Sequence, residues 1–98
     1  MDVYTLVATL GRREGDGLPE RATGGGMMLY APGRDEKEAV NDAARLLKEA
    51  GLNVLELGSE GTEAERGDIS DEERALMEQA RAENSVVVVQ TEAFYEGS

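Results

Sequence analysis

Residues 27 to 57 constrain the fold more than any other segment, because they encode a strand–helix–strand unit with both helix ends marked. A strand over 27–31 leads into the turn Pro32–Gly33, and Asp35 and Glu38 then stand at the D-x-x-E spacing of a capping box. Ala39, Val40, Ala43, Ala44, Leu46, Leu47 and Ala50 recur at helical spacing and form one apolar stripe. Gly51 supplies the left-handed residue that stops such a helix, and Leu52 is placed to fold back on Leu47 in a Schellman contact. A strand over 52–57 follows at once.

Similar signals organise the rest of the chain. Residues 3–10 read as a strand, with Val3, Thr5, Val7 and Thr9 on one face and Tyr4, Leu6, Ala8 and Leu10 on the other. Residues 11–26, with Gly15, Gly17, Pro19 and the triplet Gly24, Gly25 and Gly26, read as a long mobile connection, and the acid-rich 58–69 as a second. Ser70 and Glu73 form another capping box, opening a helix to about Glu83 with Leu76, Met77 and Ala80 as its apolar face. Asn84 stops it, and a strand over 86–91 trails into Phe94 and Tyr95. The order ββαβαβ, without repeat or linker, predicts a single α/β domain over 1–98. The first two strands should pair antiparallel, and any parallel crossover should be right-handed.

Counting faces gives an expected architecture. The first, second and fourth strands are apolar on both faces, whereas the third carries Asn53 and Glu56. Val86–Val89 is a pure aliphatic run, and continuous runs suit strands buried on both faces. The fourth strand is therefore expected to be central, with Val88→Asp unfolding the protein or breaking a dimer. Only two helices are available. The favoured arrangement is an α+β, two-layer α/β sandwich, broadly ferredoxin-like. It has a four-stranded mixed sheet, both helices on one face and a second subunit on the other. A split of the helices, one per face, is the close alternative.

Val, Ile, Leu and Phe make up only about a fifth of the chain, near the level at which disorder competes. Their confinement to periodic segments argues for a folded chain with a thin, Ala-rich core. The chain has no Cys and no His, so it has no disulfide, thiolate nucleophile, zinc–thiolate site or imidazole base. It shows neither a signal-peptide pattern nor an apolar run near membrane-spanning length, which predicts a cytoplasmic protein. Two Lys among ten basic residues suit a bacterial, GC-rich source. Four acids and four Arg cancel in residues 1–34, so the net charge of −11 lies wholly in 35–98, where seventeen acids face six bases. Such a surface repels nucleic acid and anionic membrane, and predicts neither as a partner.

Candidate sites are few. The loop 11–26 gathers Arg12, Arg13 and Arg21, and Arg34 follows the second strand. Gly-rich backbone beside Arg could hold a carboxylate or phosphate. Its spacing matches neither a dinucleotide fingerprint nor a P-loop. At Arg34, Asp35 and Glu36 compete for the same helix dipole. The acids Glu60, Glu63, Glu65, Asp68, Asp71, Glu72 and Glu73 lack the register of a calcium loop, and no metal or cofactor is expected. Tyr4 and Tyr30, on adjacent strands, could present hydroxyls to a cleft, although strand tyrosines are ordinarily core or interface residues. No catalytic residue is assigned.

The leading expectation is a non-catalytic accessory or regulatory protein acting through a homodimer and protein contacts. In that dimer, Arg12, Arg13 and Arg21 of one subunit would face acids of the other. The alternatives are a small-molecule (anion) binding protein or weak enzyme, with its cleft between the 11–26 loop and Tyr4 and Tyr30, and an acidic decoy for a basic partner.

Overall fold

A computed structural model describes residues 1–96, and Gly97 and Ser98 lie outside the described residues. The elements run β1 (Asp2–Leu10), β2 (Gly24–Gly33), α1 (Glu36–Glu49), β3 (Val54–Thr62), α2 (Glu63–Arg66), α3 (Asp71–Glu83) and β4 (Val87–Phe94). The four strands form one sheet in the order β3-β1-β2-β4, and every neighbouring pair is antiparallel. This is a small α+β domain with a four-stranded antiparallel sheet and three helices. The β2–α1–β3 crossover does join parallel strands, as both run opposite to β1. β1 lies between them, however, so the expected mixed sheet has no parallel ladder.

The helix ends follow the sequence closely. Asp35 caps α1 by accepting from the Glu38 amide at 2.8 Å. At the other end Gly51 sits at φ +85°, and Leu52 N–H donates to Leu47 O at 3.1 Å. That bond closes a Schellman motif. Ser70 and Glu73 complete a reciprocal box on α3, which ends on left-handed Asn84 at φ 49°. Thr62 and Glu65 form a further reciprocal box, opening the short α2. Residues 58–69 are thus not one loop: β3 runs through Thr62 and α2 fills much of the remainder. The glycine triplet also belongs to a strand. A Cβ at Gly24 would lie 2.4 Å from Leu10 O, one at Gly25 2.7 Å from Glu92 O, and one at Gly26 3.1 Å from the Phe94 ring. Glycine there lets β1, β2 and β4 close together at one end of the sheet.

The two helices of useful length lie on opposite faces. Tyr4, Leu6, Ala8 and Leu10 of β1, with Leu29 and Ala31 of β2, bury against Ala39, Ala43 and Leu47 of α1. Val3 and Tyr30 point the other way and bury against Met77 and Ala80 of α3. The split arrangement therefore holds, and the favoured two-layer arrangement with both helices on one face does not. That separation also departs from a ferredoxin-like layout. The cause is β1 itself: Tyr4, Leu6, Ala8 and Leu10 are buried on one face and Val3 and Thr5 on the other, so each face has a cover.

β4 is the second departure. It pairs with β2 alone and forms an edge. Val87 and Val89 pack toward α3 and Val86 toward α1, but Val88 is 47% exposed. A run of four valines suits a strand covered on both faces; here each helix takes part of it and Val88 is left outside. Among the described residues no helix is long and apolar enough to cross a membrane.

Two substitutions separate centre from edge. Leu6→Ala removes a fully buried side chain of the central strand from the core beneath α1 and should cost about 2–5 kcal/mol. Val88→Asp places its charge in solvent and should leave a folded chain, within about 1 kcal/mol of the parent. Chemical denaturation followed by circular dichroism measures both, and an unfolded Val88→Asp would restore a central β4.

Candidate functional site

The long connection is built around one buried carboxylate. Asp16, its side chain 3% exposed, accepts from the backbone amides of Arg13 at 2.9 Å and Leu18 at 3.0 Å. Arg12 Nε donates to the same carboxylate at 3.0 Å. The Arg12 guanidinium also donates to Pro19 O at 2.7 Å and to Ala22 O. Gly15–Asp16–Gly17 supplies the reason: both glycines have positive φ, and the Asp between them folds onto its neighbours' amides. The two backbone hydrogen bonds, then Arg12, hold the Asp16 carboxyl below its ordinary range. Arg12 is thus spent on its own loop. Arg13 and Arg21 are exposed, but the shallow depression beside Arg12 and Arg13 is also lined by Glu14 and Glu20, which cancel their field. Anion binding there loses its charge.

Arg34 is elsewhere, beyond β2 at the opposite end of the sheet from the loop. Its backbone amide donates to Glu38 Oε1 at 3.2 Å and its Nε to Oε2 at 2.9 Å. These bonds lower the Glu38 pKa. They also claim the carboxylate that the capping box would have turned on Asp35. The tyrosines do not share a cleft. Tyr4 points to the α1 face and Tyr30 to the α3 face. Both lie near the start of β1, paired with Ala31 and Thr5 respectively, whereas the loop leaves from Leu10, six residues and about 20 Å away. The structure brings together none of the expected cleft.

Tyr30 instead belongs to a polar cluster that sequence reasoning missed. Arg66, at the end of α2, donates to Thr5 Oγ1 at 3.2 Å and lies 3.5 Å from a Glu73 carboxylate oxygen. The Tyr30 hydroxyl sits beside them, fully buried and without a hydrogen bond of normal geometry. Burial first, then the Glu73 charge, pushes its phenol above the ordinary value against the pull of Arg66. Burial and Asp2 do the same for Tyr4. Both phenols are therefore neutral at pH 7 and neither is a ready base. The sequence signal was the T-x-x-E of Thr62 and Glu65, which fixes α2 and thereby Arg66. Among the described residues no group of three acids is placed to hold a metal ion.

What remains open is apolar. α3 covers one end of its sheet face and leaves a strip of Val7, Gly26, Met28 and Phe94 at the other, edged by Gln90 and Glu92, around a cleft of about 230 Å³. Val7 is 38% and Phe94 42% exposed. A small-molecule site ordinarily has at least about 300 Å³ with converging polar groups, so this strip is a poor ligand pocket. A cleft of about 440 Å³ between α1 and the α3–β4 turn is large enough, but Glu38, Asp42 and Glu49 line it and its Arg45 is paired with Asp42.

The chain belongs to the family described as a domain of unknown function, DUF8846, whose model matches residues 3–95. That match runs through every strand and helix, including the strip. Comparison with curated proteins and with solved structures returned no match.

The two polar centres generate separate expectations. Folding lowers the Asp16 pKa, so its contribution is complete above the unfolded value of about 4 and is lost as pH falls through the lower folded value. Amide protection at Arg13 and Leu18 should collapse over that acid window while the β1–β2 ladder persists. Asp16→Asn should lose the pH dependence, as hydrogen exchange by NMR would show. Tyr30→Phe removes an unpaired buried hydroxyl and should be neutral or stabilising by about 1 kcal/mol. A clear loss in thermal melts would mean that the hydroxyl is engaged.

Proposed function

We propose that this chain is a non-catalytic accessory or regulatory domain that works as a homodimer and through contacts with other proteins. One observation carries the reading: the sheet is left incompletely covered beside β4, with Val88 half-exposed on one face and, on the other, a strip of Val7, Met28 and Phe94 edged by Gln90 and Glu92. The polar centres support it by default. Arg12 with Asp16, Arg34 with Glu38, and Arg66 with Glu73 and Thr5 are each committed to holding a loop, a helix start or a helix pair. Glu38 and Arg12 also border clefts, but each is already paired there. Loop arginines meeting acids of the other subunit no longer form part of the reading for Arg12.

Two chains of net charge −11 repel one another, so association has to be driven by apolar burial and opposed by charge. Screening shortens from about 30 Å at 0.01 M salt to about 3 Å at 1 M. Sedimentation equilibrium should therefore show a dimer that tightens as salt rises. A monomer at sub-millimolar concentration in high salt would overturn the homodimer, and a dimer that salt weakens would point back to Arg–carboxylate pairs.

A further inference from the structure

We propose that two copies join edge to edge, β4 pairing antiparallel with β4 of the second copy about a two-fold axis at Thr91, to give one continuous sheet twice the width of this one. The inference rests on the homodimer reading and assigns its geometry.

The two edges of the sheet differ in how they are defended. β3 carries two bulges, at Leu55 and Glu60, where its pairing with β1 skips a residue. It also carries Glu56, Glu60, Gly58 and Gly61, the last at φ +101°. Bulges, charges and glycines at an edge discourage further strand addition. β4 reads Val-Val-Val-Gln-Thr-Glu-Ala-Phe, with no Pro, no Lys or Arg and a single acid. Its one bulge is at Val89, and from Gln90 to Phe94 the ladder with β2 is regular. An edge strand that is regular from Gln90 to Phe94 and carries a single charge, in so acidic a chain, is the edge that accepts a neighbour.

Self-complementarity fixes the register. Centring the pair on Thr91 sets Thr91 against Thr91 and places each Gln90 amide opposite Glu92 of the second copy, a charge-assisted match made twice. Centring on Glu92 would set two carboxylates opposite one another, which destabilises. Gln90 and Glu92 share a face, since they pair with Met28 and Gly26 on alternate positions of β2. Eight residues of β4 span about 26 Å. Backbone pairing over that length is a small interface, short of the roughly 800 Å² per partner usual for stable association. The open strips supply the rest. A two-fold axis normal to the sheet keeps both α3 helices on one side. Antiparallel pairing then sets the α3-covered end of each β4 beside the uncovered Phe94 end of the other.

The chain has no cysteine, so Thr91→Cys gives a clean test. Directly opposed residues of an antiparallel pair have Cα atoms about 4.5 or 5.5 Å apart, both within disulfide reach. Mild oxidation should link Thr91→Cys chains in pairs, and Glu60→Cys on the other edge should stay unlinked. Gln90→Glu should weaken the dimer about threefold to tenfold at low salt and Gln90→Lys should tighten it, because each acts twice through Glu92 of the second copy. The Gln90 variants carry the test if Thr91→Cys fails to fold. A dimer in which Thr91→Cys does not link and both Gln90 variants are silent overturns the edge geometry and leaves the homodimer standing. A monomeric parent overturns both.

Discussion

Everything in this fold follows from β1 being buried on both faces over most of its length. Tyr4, Leu6, Ala8 and Leu10 need one cover and Val3 with Thr5 another, and a chain with so few large aliphatic residues has one good helix to offer each side. A central strand must also have its backbone groups paired on both flanks, so β2 and β3 take the two sides of β1. The parallel crossover from β2 through α1 has to stride over β1 to do so. Once those places are taken, β4 has only the outside of β2 left.

Local signals in the sequence were reliable because their physics is local. A cap or a Schellman turn is settled within six residues, and Asp35, Gly51, Ser70 and Asn84 act as their positions predict. Neighbour relations were not legible, because they depend on competition between distant segments. Val86–Val89 is apolar enough for a central strand, yet nothing in those residues records that β1 and β2 already occupy the centre. The glycine triplet is ambiguous in sequence for a related reason. Three glycines resemble a flexible linker until the carbonyls of Leu10 and Glu92 are seen to fill the space where Cβ atoms would stand.

The candidate site was legible even less. Charge suggested that Arg12, Arg13, Arg21 and Arg34 marked a binding loop, but a cation in an acid-rich chain is scarce and tends to be claimed internally. Arg12 gathers carbonyls and Asp16, Arg34 takes Glu38 away from its own capping box, and Arg66 ties α2 to β1 and α3. These pairs are partly exposed, so their worth as ion pairs is modest. What they do is order segments that have little apolar surface to bury. Basic residues in such a chain are therefore better read first as fasteners, and as ligands only when one is left over.

The same scarcity bears on why the sheet stays incomplete. Closing the strip beside Phe94 would require a longer apolar face on α3 or a third covering helix. The stretch that could have supplied it, 58–70, is acidic and is used for the end of β3 with its Glu60 bulge, α2 and the Ser70 cap. Protection was thus placed on β3, where Glu56 and Glu60 sit, and withheld from β4. β4 carries Glu92 alone in eight residues, where β3, with two bulges and two glycines besides, carries two acids in nine. An edge that merely faced water would gain solubility from carrying more of them, whereas one that adds a strand has to do without.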